Sequence, residues 1–292
     1  MSIAGGGPRL AGVLGWPVGH SLSPALHGHW FERHGVAGAY VPLPVRPEDL
    51  GLAFRALPRL GFSGWNVTVP HKEAAFRLVD ELDSAAARAG AVNTVLVRAD
   101  GSLLGRNTDG QGFLASLRGE APSWRPQAAL AVLLGAGGAA RAVALALLDA
   151  GVPGLRLANR SRARAEELAG ELVAGAGAAA VPVEVVAWEE RSAALAGAGL
   201  LVNATSLGMA GQPPLEIGLD ALPGRAVVAD LVYVPLETGL LAAARARGNL
   251  AVDGLGMLLH QAVPGFAHWG GVTPSADDGA ARARVLEALV RR

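Results

Sequence analysis

The sequence predicts an α/β protein built from two domains. Apolar runs of strand length alternate with helical patterns along most of the chain, which is typical of parallel sheets covered by helices. The chain has 292 residues, of which 51% are hydrophobic and 17% charged. A chain of this length usually divides its apolar residues between two cores. We therefore expect two α/β domains in succession.

The first third of the chain carries four strand patterns and two helix starts. The strand patterns are found at 10–15, 39–43, 61–69 and 91–98. Helices are expected after Ser23 and after Pro47. Ser23 is expected to cap the first of these helices, because Pro24 suits the first helical position.

A polar stretch around 119–127, which contains Pro122 and Pro126, indicates a linker into the second domain. Further strand patterns follow near 129–134, 154–158, 182–186, 199–203 and 226–230. From about Leu255 the chain has helical patterns only, and such a helix pair often packs back onto an earlier domain. The expected domains are 1–118 plus 256–292, and 119–255.

Charge and composition exclude several classes of function. The chain has 25 basic and 25 acidic residues and no cysteine. Balanced charge offers no overall attraction for a nucleic-acid backbone or an anionic membrane, so a small-molecule partner is expected. Without cysteine there are no disulfides and no thiolate chemistry. The seven histidines show no metal-ligand spacing, and we expect no metal.

The N-terminal residues and the most apolar stretch lead us to expect a cytoplasmic location. Gly5, Gly6 and Gly7 stand where a secretory signal would have a basic segment before an apolar run. The apolar stretch 128–148 has the length of a membrane span, but it contains Arg141 and a glycine cluster. It therefore predicts a buried strand, a tight turn and a helix.

One lysine stands out among the basic residues. Of the 25 basic residues only Lys72 is a lysine, so 24 are arginines. Arginine does not give up its proton in proteins, whereas lysine can. Lys72 is therefore the first residue to consider for proton transfer, although a bias in base composition would also leave few lysines.

A glycine-rich motif follows the strand pattern 129–134. Gly135, Gly137 and Ala140 form a G-x-G-x-x-A version of the dinucleotide fingerprint, and a helix pattern begins at Ala139. In this context the backbone can approach a pyrophosphate while the helix N-terminus supplies free N–H groups. The motif predicts a Rossmann-type domain, unless the glycines serve only the packing of strand on helix.

The end of the next strand indicates which dinucleotide binds. Asn159 and Arg160 follow that strand, and Arg162 and Arg164 come next, before the first carboxylate at Glu166. An acidic side chain would bind a free ribose 2′-hydroxyl, whereas arginine can bind a 2′-phosphate. The string therefore predicts NADP, with a solvated basic helix start as the alternative.

Two polar strings stand at strand ends in the first domain. In the string 66–72, strand alternation places Asn66 and Thr68 on one face, and Lys72 follows at the carboxyl edge, where open α/β sheets bind ligands. Asp109 begins another helix pattern. It is either a site residue or only the N-cap of that helix.

Together these strings resemble the shikimate dehydrogenase family over nearly the whole chain. The matching strings, in the family's order, are GWPVGHSLSPALH from Gly15, NVTVPHK ending at Lys72, GAVNT, NTDG, GAGGAARA from Gly135, ANRS, NATSLGM, DLVYVPLET and GMLLHQA. Gly28 and Ser84 depart from the family pattern, which often has Asn and an acidic residue there.

The resemblance implies NADPH-dependent reduction of 3-dehydroshikimate to shikimate, on the way to chorismate and the aromatic amino acids. It implies a substrate-binding and catalytic domain followed by an NADP-binding domain, with Lys72 and Asp109 as the acid/base pair. Residues similar to the family's substrate binders are Ser21, Ser23, Thr68, Lys72, Asn93, Asp109, Tyr233 and Gln261. Residues similar to its cofactor binders are Gly135, Ala136, Gly137, Gly138, Ala139, Asn159, Arg160, Arg164, Leu231 and Gly254.

Alternatives remain open at this stage. A quinate/shikimate dehydrogenase of broader specificity would use the same scaffold, as would a folate-type dehydrogenase. A non-catalytic NADP-binding regulator would need neither Lys72 nor Asp109. A homodimer is a further expectation.

Overall fold

The computed structural model describes residues 8–175 and 181–291. It divides into two compact units: the first runs to Asp109 and resumes at Leu258, and the second is Gly110–Met257. The glycines at 5–7 lie outside the described residues. The α/β fold class and the Rossmann-type second unit, both predicted from the sequence, are confirmed.

The first unit contains six strands in one sheet. Its elements up to the first boundary are β1 (Arg9–Gly15), α1 (Ser23–Arg33), β2 (Gly38–Pro44), α2 (Leu50–Ala56), β3 (Phe62–Val67), α3 (Lys72–Ala75), β4 (Glu81–Leu82), α4 (Ser84–Ala89), β5 (Thr94–Val97) and β6 (Leu103–Arg106). The strand order is β2-β1-β3-β5-β6-β4. Strand β5 runs antiparallel to both of its neighbours, and the other pairs are parallel.

The mixed character of this sheet differs from the expected parallel one. Strands β5 and β6 are joined by a tight turn, in which the backbone N–H of Arg98 donates to Ser102 O at 2.9 Å and that of Ser102 donates to Asp100 Oδ1 at 2.9 Å. A turn this short can only join antiparallel strands, because a parallel connection needs a crossover. The sequence pattern also missed β4 and β6.

The second unit has a fully parallel sheet of six strands. The remaining elements of the chain are α5 (Asp109–Glu120), β7 (Ala131–Leu134), α6 (Gly138–Asp149), β8 (Leu155–Ala158), α7 (Arg162–Gly175), β9 (Val183–Val186), β10 (Leu200–Asn203), β11 (Val227–Asp230), α8 (Gly239–Ala246), β12 (Leu250–Val252), α9 (Gly254–Gly270) and α10 (Gly279–Val290). The strand order is β12-β11-β10-β7-β8-β9. From the β9 edge this is the 3-2-1-4-5-6 order of a doubly wound dinucleotide fold.

Small side chains bring the helices of the second unit close to its sheet and to each other. Ala140, Val143, Ala144 and Leu147 form a buried face of α6 at helical spacing and belong to the main core. A Cβ on Gly110 would lie 2.6 Å from the backbone oxygen of Ala142. Helices α5 and α6 can therefore pack closely only because residue 110 is glycine.

The unit boundaries fall inside α5 and α9, whereas the sequence placed them at 118/119 and 255/256. Phe113 and Leu117 of α5 belong to the core of the second unit, so most of α5 packs there. Burial of apolar side chains thus assigns the helix to this unit, a preference that the polar stretch at 119–127 does not reveal. In the described part of the chain, no helix is both long and apolar enough to span a membrane.

The expected cap of α1 is wrong. Ser23 is the first residue of the helix, and no side chain caps it from the position before. Instead the Oγ of Ser21 accepts from the backbone N–H of Ser23 at 3.3 Å. The helix begins one residue earlier than the Ser-Pro pair indicates, because Ser21 satisfies that free N–H from outside the helix.

Candidate active site

Lys72 and Asp109 form a direct ion pair in the first unit. The Nζ of Lys72 donates to Oδ2 of Asp109 at 2.5 Å, and the two side chains are 14% and 4% exposed. A charge pair this sheltered from water is screened little and holds a fixed geometry. The structure therefore brings together the two residues that the family resemblance implies as an acid/base pair.

The sheet topology explains why these two residues meet. Strands β3 and β6 run in the same direction because β5, between them, is antiparallel to both, and Asn66, Thr94 and Arg106 lie in one register row. The chain beyond that row leads from β3 to Lys72 and from β6 to Asp109. Two residues far apart in sequence therefore reach one edge of the sheet.

The segment before Lys72 is held by the backbone and one histidine. The N–H of His71 donates to Thr68 O at 2.9 Å, and the N–H of Val92 donates to Lys72 O at 2.9 Å. The Nε2 of His71 lies 2.8 Å from Val45 O. Because a carbonyl oxygen only accepts, this nitrogen must carry a proton. These bonds fix the start of the lysine side chain.

Asp109 is the first residue of α5, and its carboxylate serves the site rather than the helix end. Its N–H donates to Asn107 Oδ1 at 3.1 Å, while Asn107 Nδ2 donates to Ala91 O at 2.9 Å. The carboxylate accepts from Lys72 and from Asn93. The alternative in which Asp109 is only an N-cap is therefore wrong.

Asn93 joins Asp109 to Gln261. Its Nδ2 donates to Oδ1 of Asp109 at 2.8 Å and lies 3.3 Å from Oε1 of Gln261. Thr108 completes the group, since its hydroxyl donates to the backbone oxygen of Gln261 at 2.8 Å. Four of the predicted substrate binders, counting Lys72, are thus hydrogen-bonded into one cluster.

The other predicted binders of the first unit lie at the same sheet edge. Ser21 and Ser23 are buried in the segment that follows β1. The N–H of Thr68 donates to Leu14 O at 2.8 Å, and a Cβ on Gly15 would lie 2.5 Å from the Thr68 methyl. Glycine at 15 therefore leaves the space that Thr68 occupies. Tyr233 belongs to the second unit, in the segment after β11.

Three of the predicted cofactor residues come directly after strands that end in one register row of the second sheet. Leu134, Ala158, Asn203 and Asp230 pair across the ends of β7, β8, β10 and β11. The residues just beyond three of these strand ends are Gly135, Asn159 and Leu231. Parallel strands end at the same edge, and this edge is where doubly wound sheets bind dinucleotides.

The glycine turn fits a pyrophosphate. Gly135 has a φ of +114°, which favours glycine. A Cβ on Gly137 would meet nothing within 4 Å, and no side chain caps the start of α6. The first N–H groups of α6, at Gly138 and Ala139, are therefore available to an anion. Ala136, in the middle of the turn, is buried in the core of the unit.

The arginine string lies on the surface at the start of α7. Arg160 and Arg164 are exposed, and Arg162 pairs with Glu166 at 2.8 Å. Asn159 Nδ2 donates to Ser161 O at 2.9 Å and so fixes the turn after β8. Exposed guanidinium groups beside the glycine turn suit a 2′-phosphate.

Leu231 and Gly254 lie against each other. A Cβ on Gly254 would overlap the backbone carbonyl of Leu231 and would lie 2.9 Å from Val232 O. Only glycine allows the start of α9 to approach the segment after β11 this closely. Among residues 8–175 and 181–291, no group of three acidic or histidine side chains could hold a metal.

A buried carboxylate in the second unit was missed by the sequence reasoning. Asp230 accepts from Asn203 Nδ2 at 2.9 Å, from the N–H of Val232 at 3.0 Å and from the Thr238 hydroxyl at 2.7 Å. Burial raises the pKa of Asp230 to about 6, although these three hydrogen bonds act in the opposite direction. The sequence feature that could have identified Asp230 is its position as the last residue of a buried strand.

Comparison with known proteins identifies the family of the chain. The shikimate dehydrogenase substrate binding domain matches residues 13–95. The shikimate dehydrogenase (NADP(+)) of Paramagnetospirillum magneticum is 61% identical over 273 residues, covering 94% of this chain and 96% of the relative. The chain belongs to the shikimate dehydrogenase family.

Solved structures of the family superpose on the chain. The quinate dehydrogenase of Corynebacterium glutamicum in complex with NAD has a TM-score of 0.87 at 35% identity, covering 96% of this chain and 99% of that one. Shikimate 5-dehydrogenase from Thermus thermophilus, in complex with NADP(H) and shikimate, has a TM-score of 0.82 at 37% identity, with coverage of 96% and 99%.

The two departures from the family pattern leave the ion pair intact. A Cβ on Gly28 would meet nothing within 4 Å, so a side chain there would enter open space. Ser84 begins α4, and the preceding Asp83 caps that helix by accepting from Ala86 N at 2.7 Å. Asp83 also pairs with Arg106 at 3.1 Å, so this corner retains a carboxylate one residue earlier.

Proposed function

We propose that this chain catalyses the reversible reduction of 3-dehydroshikimate to shikimate with NADPH. It is an NADP-dependent oxidoreductase of the shikimate dehydrogenase family. The observation that carries the proposal is the sheltered pair of Lys72 and Asp109, with Asn93 bound to the same carboxylate. The first unit would hold the substrate and the second the cofactor.

Lys72 is proposed to move the proton of the reaction. When bound, NADPH supplies the hydride that adds to the carbonyl carbon. The oxygen of that carbonyl then needs a proton, and the ammonium of Lys72 can give one. Asp109 holds this ammonium by its Oδ2 and is itself held by Asn93 at Oδ1. The pair therefore orients the donor before the reaction starts.

The remaining polar residues are proposed to bind the substrate's carboxylate and hydroxyls. Small hydroxyl side chains suit the carboxylate because they donate hydrogen bonds without adding charge. The residues proposed for these contacts are Ser21, Ser23, Thr68, Asn93, Gln261 and Tyr233. In the second unit, the glycine turn would hold the pyrophosphate, and Arg160 and Arg164 the 2′-phosphate.

A quinate dehydrogenase is the second candidate, because the chain superposes well on one that was solved with NAD. Quinate carries an extra hydroxyl on the ring carbon that bears the carboxylate, so the pocket would need more room there. The arginines after Asn159 favour NADP over NAD.

An absorbance assay at the nicotinamide band separates the candidates. Shikimate and quinate are each combined with NADP and with NAD, which gives four reactions. The proposal expects the highest kcat/KM for shikimate with NADP. Equal constants for the two acids would favour the broader enzyme. If none of the four reactions shows turnover but the protein still binds NADP, a non-catalytic regulator would be favoured.

We also propose a homodimer that acts in the cytoplasm and binds no nucleic acid. Size-exclusion chromatography with light scattering tests the dimer, and a gel-shift assay tests nucleic-acid binding. A monomer at micromolar concentration would overturn the first statement.

A further inference from the structure

A chain of buried hydrogen bonds leads from Tyr40 to the carboxylate of Asp109. The Tyr40 hydroxyl donates to Asn66 Oδ1 at 2.6 Å, and Asn66 Nδ2 donates to Thr94 Oγ1 at 3.0 Å. The Thr94 hydroxyl donates to Asn93 Oδ1 at 2.9 Å, and Asn93 Nδ2 donates to Asp109 Oδ1 at 2.8 Å. We call these five side chains the Tyr40 chain. All five are buried.

Two backbone groups fix the direction in which this chain donates. Asn66 Nδ2 lies 3.1 Å from the backbone oxygen of Asn93, which can only accept. The N–H of Thr108 lies 2.9 Å from Asn93 Oδ1 and can only donate. Both amides are therefore locked in one orientation, and Tyr40 must donate because the atom facing it is an oxygen. Every bond of the chain points toward Asp109.

The sheet holds the members of the chain in place. Asn66 of β3 and Thr94 of β5 are register partners. Tyr40 of β2 pairs with Ala11 of β1. Two residues further along β1, Val13 pairs with Asn66 of β3. Alternation puts these residues on one face. Tyr40 can thus reach across β1, because its own partner there is the small Ala11.

A neutral histidine supports the ring of Tyr40. The ring of His27 stacks on it with centroids 4.0 Å apart and planes within 5°. Burial lowers the pKa of His27 to about 3, so His27 is uncharged at neutral pH. The ring position therefore depends on packing, and the hydroxyl joins Tyr40 to the polar site.

We propose that Tyr40 is a positioning residue, which through Asn66, Thr94 and Asn93 holds the carboxylate of Asp109 in the orientation that aims Lys72 at the substrate oxygen. Hydrogen bonds in a series polarise one another in a dry interior, so losing the first weakens the last. The inference rests on the proposed function, because it concerns the rate of that reaction.

The first test removes one oxygen atom. Tyr40→Phe keeps the ring on His27 and deletes only the hydroxyl. We expect kcat for shikimate with NADP to fall roughly three- to tenfold, the effect of one neutral hydrogen bond. The KM for NADP should stay unchanged and the KM for shikimate should change less than threefold. The melting temperature, measured in parallel, reports any general loss of stability.

The second test interrupts the chain in the middle with a matched pair. Thr94→Val keeps the shape and removes the hydroxyl, and we expect kcat to fall roughly ten- to thirtyfold. Thr94→Ser keeps the hydroxyl and should recover most of that loss. The double variant Tyr40→Phe/Thr94→Val should be no slower than Thr94→Val alone, because both act through one chain.

The outcomes separate this inference from the proposed function. If the unmodified enzyme fails to oxidise shikimate with NADP, the proposed function is wrong, and Tyr40 positions nothing for it. If the enzyme is active, an unchanged kcat in Tyr40→Phe overturns only the inference. The inference is also overturned if Thr94→Ser is as slow as Thr94→Val. It is overturned as well if the variants lower the melting temperature without lowering kcat.

Discussion

Each unit buries an aspartate beside the polar edge of its sheet, and the two aspartates differ in their partners. Asp109 accepts from an ammonium, that of Lys72, and from the amide of Asn93. Asp230 accepts from an amide, a backbone N–H and a hydroxyl, all of which are neutral. One carboxylate belongs to an ion pair, and the other is surrounded only by dipoles.

The difference separates the proposed reacting pair from a structural contact. A carboxylate that holds a cation sets the position of a transferable proton. A carboxylate held by neutral donors costs free energy to ionise, and burial raises the pKa of Asp230 to about 6 for that reason. Asp230 instead connects the end of β10 to the segment that follows β11, because Asn203 and Thr238 both donate to it.

The largest expected effect comes from replacing the cation of the first unit. Lys72→Arg keeps the charge but substitutes a wide planar group that gives up no proton. We expect kcat to fall about 10²- to 10⁴-fold, with both KM values changed little. Lys72→Met should be comparably inactive. The control Arg98→Lys, at a partly exposed pair with Glu81, should leave the rate unchanged.

Chemical modification checks the same residue independently. Apart from the α-amino group, Lys72 is the only amine in the chain. Bound shikimate should therefore slow its reductive methylation. A Lys72→Arg enzyme with near wild-type kcat, or methylation indifferent to shikimate, would remove Lys72 from the mechanism.

The next effect concerns stability in the second unit. The pKa of Asp230 is raised from 3.8 to about 6 by folding, so the folded state binds the proton more tightly than the unfolded chain. The free energy of unfolding therefore falls as the pH rises from about 4 to about 6, on the order of 3 kcal/mol from this group. Asp230→Asn should remove that dependence.

Urea unfolding at pH 4.5 and pH 7 measures this difference. The free energy of unfolding of Asp230→Asn, taken relative to that of the wild type, should be higher at pH 7 than at pH 4.5. The control Asp220→Asn, whose side chain is fully exposed in the same unit, should show no such change. An equal stability difference for Asp230→Asn at both pH values would contradict the prediction.

A smaller effect is expected at the cofactor's phosphate. Arg160→Ala should raise the KM for NADP about ten- to a hundredfold and leave that for NAD nearly unchanged, since one charge-assisted contact contributes about 1.5–3 kcal/mol. Arg162→Ala, which instead breaks the pair with Glu166, is the matched control on the same helix. Equal weakening of both cofactors by Arg160→Ala would make Arg160 a structural residue.

The smallest effect separates two glycines of one turn. Gly137→Ala places a methyl in open space without backbone strain, so stability should hold while the Kd for NADP rises about tenfold. Gly135→Ala forces a side chain onto a φ of +114° and should lower the melting temperature. If Gly137→Ala left the Kd for NADP unchanged, the space at Gly137 would have no role in binding.

Local patterns predicted most of the second unit. Strands β7, β8, β9, β10 and β11 lie within two residues of the predicted ranges. Strands β7, β10 and β11 are buried along their whole length, and such parallel strands are nearly continuous apolar runs. The strand β12 was missed, since it has only three residues and so short a run carries little pattern. The glycine turn was predictable because its geometry needs glycine at a fixed distance from the strand.

The sequence by itself determined that Lys72 is the lone lysine, that it follows a polar strand end, and that arginines follow the second Rossmann strand. Only the tertiary structure decided that Lys72 meets Asp109, 37 residues away, and that Asn93 meets Gln261, 168 residues away. The antiparallel β5 brings these strand ends to one edge. Local periodicity in a sequence predicts which residues are buried. It does not predict which strands pair when they are distant in sequence, and that pairing brings the site residues together.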